Sequence, residues 1–212
     1  KSKPICIKNC FEFNKKQYIN KLFLKESDPI QLTIVGRFSR EKGYELLFKS
    51  LSKVSFNYKL LCIGKGCSLK NQKFKNLCAQ YKVKVKAFEK VKNINKIYWG
   101  TDYLVSSSFS ESFPNVVVES LLVGTPVIST PTGCFLNILK EFNLVSESFK
   151  SHDFSIVLNN AYLLRKDQKK YQSICKKLRR KIVEEISTPV QAAKNYERIF
   201  LINNFLIEPK RN

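Results

Sequence analysis

The chain of 212 residues contains no methionine, one tryptophan and one histidine, His152. A single imidazole offers no convincing Ser-His-Asp or Cys-His nucleophile set. The seven cysteines, at 6, 10, 62, 67, 78, 134 and 175, are odd in number and include no Cys-x-x-C pair. Most stand in apolar runs such as Leu61-Cys62-Ile63, where Cys acts as a small hydrophobe, so neither a disulfide framework nor a zinc site is expected. That usage reads as reduced and cytoplasmic. No apolar run is long enough to cross a bilayer, and the opening KSKPICIKNC has no signal-peptide apolar region. The lack of an initiator Met leads us to expect a fragment of something longer.

Acidic residues are also scarce, 17 against 38 basic ones, for a formal net charge of +21. Of the basic residues 31 are Lys and 7 are Arg. Nucleic-acid readers rely on Arg forks and interleaved aromatics, which the Lys-rich helical segments lack, so nucleic acid is not expected as a partner. An anionic membrane face suits this charge better, each nearby Lys contributing about 1 kcal/mol. A Lys-biased genome combined with a separated acidic partner domain accounts for the charge equally well, and composition leaves both open.

What is present is a core-forming chain, 43% hydrophobic and free of low-complexity tracts. Apolar runs of strand length alternate with helical spacing. We expect strands at 4–7, 30–35, 58–63, 83–88, 102–106 and 127–130. Helices are expected at 44–54, 69–81, 94–99, 115–122 and 136–141. After Asp153 the pattern is all-helical, at 154–164, 168–185 and 190–204, the last opening on Ser187-Thr188-Pro189. Lys169, Lys170, Lys176, Lys177, Arg179, Arg180 and Lys181 form a basic stripe, most simply a solvated helix face. Strand–helix alternation predicts an α/β fold: a doubly wound parallel sheet with helices on both faces and a C-terminal helical extension. We divide it as residues 1–152 for the sheet domain and 153–212 for helices completing the same domain.

Such sheets bind ligands at the carboxyl ends of their strands. Gly36-Arg37, Gly64-Lys65-Gly66, Ser107 to Glu111 and Thr130 to Gly133 each follow an expected strand, so they converge on one rim. Between them runs ESFPNVVVE, with Glu111 on a loop before Pro114 and Glu119 one turn inside a helix, on the same face as Asn115. The amides at that helix start favour an anion, and an ionised Glu can accept from two adjacent hydroxyls. The set suits a molecule carrying both phosphates and sugars.

Taken in order, Val35-Gly36-Arg37-Phe38, Glu41-Lys42-Gly43, Ile63-Gly64-Lys65-Gly66, Glu111-x7-Glu119 and Gly124-Thr125-Pro126 resemble the C-terminal, donor-binding domain of retaining GT-B glycosyltransferases of family four. The resemblance is strong over 30–132 and looser from Lys3 to near Phe200. It implies a Rossmann-like half of a GT-B fold that binds a nucleoside-diphosphate sugar such as a UDP-sugar. By the same resemblance, Gly36, Arg37 and Lys42 meet the diphosphate, and Asn115 and Val116 present amides to it. Gly64 and Gly66 underlie the nucleotide, while Phe88 and Lys90 flank the base. Glu119 takes the ribose hydroxyls, and Glu111 the donor sugar. Glu111, Arg37 and Lys42 are then the catalytic set of a hexosyl or N-acetylhexosaminyl transferase.

No Asp-x-Asp occurs, so neither a metal nor another cofactor is expected. The acceptor, a glycan or lipid-linked sugar, would be bound by an N-terminal domain absent from this chain, which alone should then transfer nothing. Without that domain Ile199, Phe200 and Ile202 of the closing helix should form an uncovered apolar patch. The expected setting is surface polysaccharide synthesis (capsule or lipopolysaccharide) at the inner membrane face. A non-catalytic docking module and a synthase or epimerase of soluble metabolites are the alternatives. Two departures stand out. Asn137 occupies the usual Glu position after the Gly-rich turn, and the customary next strand shrinks to Asn143-Leu144-Val145.

Overall fold

A computed structural model describes residues 10–11 and 29–205, with the side chains of the last helix described to residue 198. The strand expected at 4–7 and the patch of Ile199, Phe200 and Ile202 lie outside the described residues and side chains. Five strands, β1 (Ile30–Val35), β2 (Tyr58–Ile63), β3 (Val85–Phe88), β4 (Tyr103–Ser106) and β5 (Val127–Ser129), form one sheet in the order β3-β2-β1-β4-β5. Every pairing is parallel. The helices are α1 (Tyr44–Leu51), α2 (Gln72–Gln80), α3 (Ile94–Trp99), α4 (Asn115–Leu122), α5 (Leu136–Lys140), α6 (Ser151–Lys166), α7 (Gln168–Glu185) and α8 (Pro189–Phe205).

The order places a topological switch between β1 and β4. Crossovers run outward in opposite directions from these two strands, so right-handed connections put α1 and α2 on one face and α3 and α4 on the other. α6 packs beside α1. This is the doubly wound, Rossmann-like sheet expected. β1 and β4 are largely buried on both faces, although β1 (IQLTIV) carries Gln31 and Thr33 between its apolar residues.

Element boundaries moved for local reasons. α2 starts at Gln72 because Asn71 caps it, its side chain accepting from the N–H groups of Lys73 and Phe74, so 69–71 form a turn. α1 stops at Leu51, and Val54 lies beyond a turn. A 3-10 turn at Arg40–Lys42 between β1 and α1 was not anticipated. The reduced strand at Asn143-Leu144-Val145 survives as a single parallel bridge from Val145 to Ser129.

Two features lock the sheet from either end. Below it, Arg165 of α6 donates from Nε to Asp102 Oδ1 at 2.9 Å, and Asp102 Oδ2 accepts from the Gln31 N–H at 2.8 Å. Both side chains of this ion pair are at most 5% exposed. Above it, Phe38, Tyr44, Phe48 and Phe74 make edge-to-face contacts, with centroids 5.2 to 6.1 Å apart.

By contacts the chain divides into two compact units, Ile19–Ile182 and Lys1–Tyr18 with Val183–Asn212. In the smaller one Cys10 bridges Ser187 in parallel, the Phe11 N–H donating to the Ser187 carbonyl at 3.1 Å. Its helix α8 opens with a capping box: Thr188 Oγ1 accepts from the Gln191 N–H, and Gln191 Oε1 accepts from the Thr188 N–H. No helix among the described residues is long and apolar enough to cross a membrane.

Candidate active site at the switch point

The rim above β1 and β4 is built by close backbone approach. Gly43 adopts φ +64°, ending the 3-10 turn, and a Cβ there would lie 1.9 Å from the Ser107 carbonyl oxygen. The loop after β1 therefore rests directly on the loop after β4. Two bonds stitch them: Ser107 Oγ donates to the Lys42 carbonyl at 2.9 Å, and the Phe109 N–H to the Glu41 carbonyl at 2.8 Å. Gly64 does the same on the other side of β1, where a Cβ would lie 2.1 Å from the Gly36 oxygen. Buried Tyr44 donates its hydroxyl to that Gly36 carbonyl at 2.7 Å, fixing the turn that carries Arg37.

The strongest convergence is Lys42 with Glu111. Lys42 Nζ donates to Glu111 Oε1 at 2.5 Å, across 69 positions of sequence, with side chains only 22% and 13% exposed. The Lys42 stem crosses Gly36, where an added Cβ would press on it at 3.3 Å. Ser108 Oγ also donates to Glu111 Oε1, and the Glu111 N–H is held by Thr132 Oγ1, both at 2.9 Å. Gly133, at φ +90°, lets the β5 loop lie against Pro114 and Glu111. Ser107, Ser108 and Thr132 thus shape the site. They lie in two segments that the sequence places on the rim, but nothing within those segments distinguishes these three hydroxyls from their neighbours.

Arg37 is placed differently. Its side chain is 65% exposed and pairs with Glu41 at 3.1 Å rather than with the Lys42–Glu111 pair. Asn115 and Val116 form the first turn of α4. Pro114 precedes them and makes no side-chain cap, and the positive end of the helix dipole favours an anion there. Gly66, at φ +84°, packs on Phe38. Phe88, last residue of β3, is 50% exposed and so is not core, and Lys90 beyond it is exposed too.

Glu119 lies within α4, one turn after Asn115, and is half-buried. Its Oε2 accepts from the Tyr98 hydroxyl of α3 at 3.0 Å. Burial pushes its carboxyl above the ordinary range, and the Tyr98 bond partly offsets that. Tyr98 was not singled out from sequence, since an aromatic in a short helix reads as core. Chemically, the rim offers a shielded lysine–carboxylate pair, an exposed guanidinium, a helix N-terminus and a second carboxylate free to accept from hydroxyls.

Comparison with known proteins bears on the family and the fold. The profile of the glycosyl transferases group 1 family matches residues 14–179. An uncharacterised glycosyltransferase of Methanocaldococcus jannaschii is 30% identical over 121 residues, covering 54% of this chain and 30% of its own. Among solved structures, sucrose-phosphate synthase of Thermosynechococcus elongatus superposes with a TM-score of 0.70 at 19% identity, over 84% of this chain and 47% of that one. Anabaena HepE in complex with UDP-glucose gives 0.67 at 16% identity, over 82% and 49%. The chain spans between 18% and 34% of the length of the relatives it matches by sequence.

Proposed function

Since the chain belongs to the glycosyl transferases group 1 family, we propose that its rim is the donor seat of a glycosyltransferase and takes a nucleoside-diphosphate sugar. The observation that carries this reading is the shielded Lys42–Glu111 pair at the switch point, flanked by the α4 N-terminus and Glu119. In this reading the ribose hydroxyls donate to Glu119. The diphosphate lies against the α4 amides of Asn115 and Val116 and over Gly36, with Lys42 and Arg37 neutralising it. The base sits toward Gly64, Gly66, Phe88 and Lys90. The sugar meets Glu111, which accepts from its hydroxyls while steadying Lys42.

Transfer then proceeds by departure of the diphosphate, whose growing charge Lys42, Arg37 and the helix start stabilise in a preorganised site. The sugar–oxygen bond to the diphosphate breaks, the acceptor hydroxyl forms the new bond with retained anomeric configuration, and its proton passes to the departing diphosphate. These cations take the part a divalent metal plays elsewhere, so a chelator should leave binding unchanged. The acceptor, a glycan or lipid-linked sugar, is held by the remainder of the protein. The surplus of Lys is compatible with work at an anionic membrane face in surface-glycan synthesis.

Calorimetric titration of the chain with UDP and with GDP, with and without EDTA, tests the seat. We expect saturable binding of at least one, indifferent to EDTA. No heat from either at several hundred micromolar protein would overturn the reading.

A further inference from the structure

Tyr98 is completely buried, yet its hydroxyl reaches the half-exposed rim. The ring is held at two points. Its backbone carbonyl accepts from Thr125 Oγ1 at 2.6 Å, and Thr125, itself fully buried, forms the turn between α4 and β5. Its hydroxyl donates to Glu119 Oε2. Asn93 fixes the start of α3, accepting from the Lys96 N–H at 3.1 Å. A phenol in this position solvates the carboxylate without neutralising it. A lysine there would pair with the charge and compete with any hydroxyl donor. The single O–H occupies one of about four lone-pair sites on an ionised Glu, leaving the rest to a ligand.

We propose that Tyr98 is the positioning residue for ribose recognition, its buried hydroxyl fixing the Glu119 carboxylate so that the remaining lone pairs face a vicinal diol. This rests on the reading of Glu119 as the ribose acceptor. A free glutamate loses rotamer freedom when it orders around a ligand. Here folding has already ordered it, so the diol meets a preorganised acceptor. The same hydroxyl favours the ionised form against the effect of burial.

The test is titration of the wild type, Tyr98→Phe, Glu119→Ala and the double variant with UDP and with 2′,3′-dideoxy-UDP. Phe keeps the ring and the Thr125 bond to the main chain, and unchanged thermal unfolding verifies the fold. Tyr98→Phe should bind UDP about fivefold more weakly, the worth of one net hydrogen bond, with dideoxy-UDP unaffected. In the Glu119→Ala background the Phe substitution should change nothing. Equal loss on both nucleotides, a loss persisting without Glu119, or wild-type affinity in Tyr98→Phe would each overturn the proposal. If the wild type itself fails to prefer UDP over the dideoxy form, the reading of Glu119 fails first. If it discriminates and Tyr98→Phe matches it, only the role of Tyr98 falls.

Discussion

Replacing Gly43 by Ala tests how the rim is assembled. The new Cβ would stand 1.9 Å from the Ser107 carbonyl oxygen, about 1.5 Å short of the 3.4 Å at which ordinary contact begins. The obstacle is backbone, so no side chain can swing aside; the loop carrying Lys42 must lift from the loop carrying Glu111. Alanine at φ +64° adds a left-handed strain, and together these should cost about 2 kcal/mol. For a domain of this size that lowers the unfolding midpoint by roughly 4–8 °C. Displacing Lys42 by an ångström should weaken UDP at least about tenfold and depress transfer in the full-length protein by about a hundredfold. Gly124→Ala is the control. Its φ is +84°, but nothing lies within 4 Å of the added Cβ, so it should lose some stability and no nucleotide affinity. Differential scanning fluorimetry and UDP titration on both variants suffice. Wild-type affinity in Gly43→Ala would refute the claim that this contact sets the Lys42 position.

The two glutamates should separate by role. Glu119→Ala removes a charged hydrogen-bond partner worth about 1.5–3 kcal/mol, weakening UDP roughly tenfold or more. Glu111→Ala should leave nucleotide binding nearly intact and abolish most transfer in the full-length protein; the reverse pattern would exchange the assignments. Glu119 has a raised folded-state pKa, so its charge costs stability above that pKa and the cost vanishes as pH falls toward the unfolded value. Glu119→Gln should therefore melt slightly higher than wild type at neutral pH, the gap closing on acidification; a gap that grows instead would contradict this. Away from the rim, Arg165→Met removes the cation paired with the buried Asp102 carboxylate and should cost about 3–5 kcal/mol by chemical denaturation. Adding Asp102→Asn should recover part of it.

Much of this molecule was legible because its strands obey simple rules. β1, β2, α3, α4 and α7 have the boundaries their periodicity and caps imply, and parallel pairing then forces the post-strand loops onto one rim. Glycines at the tightest crossings, Gly43 and Gly64, were visible as punctuation. Their reason was not, because it lies in carbonyl oxygens of post-strand loops distant in sequence. The same limit hid Tyr98, the Asp102–Arg165 pair and the bonds of Glu111 to Lys42 and Thr132, each joined by tertiary contact across residue separations of 21 to 69. The family resemblance implies that Arg37 and Lys42 meet the diphosphate together. The 3-10 turn between them instead sends Lys42 inward to Glu111 and leaves Arg37 outward with Glu41.

The most direct measurement is a crystal structure of the protein soaked with UDP. The account predicts the ribose diol on Glu119 and the diphosphate between the α4 N-terminus and the loop of Gly36 to Lys42. A nucleotide bound with its phosphates away from Lys42 and its ribose away from Glu119 would contradict it.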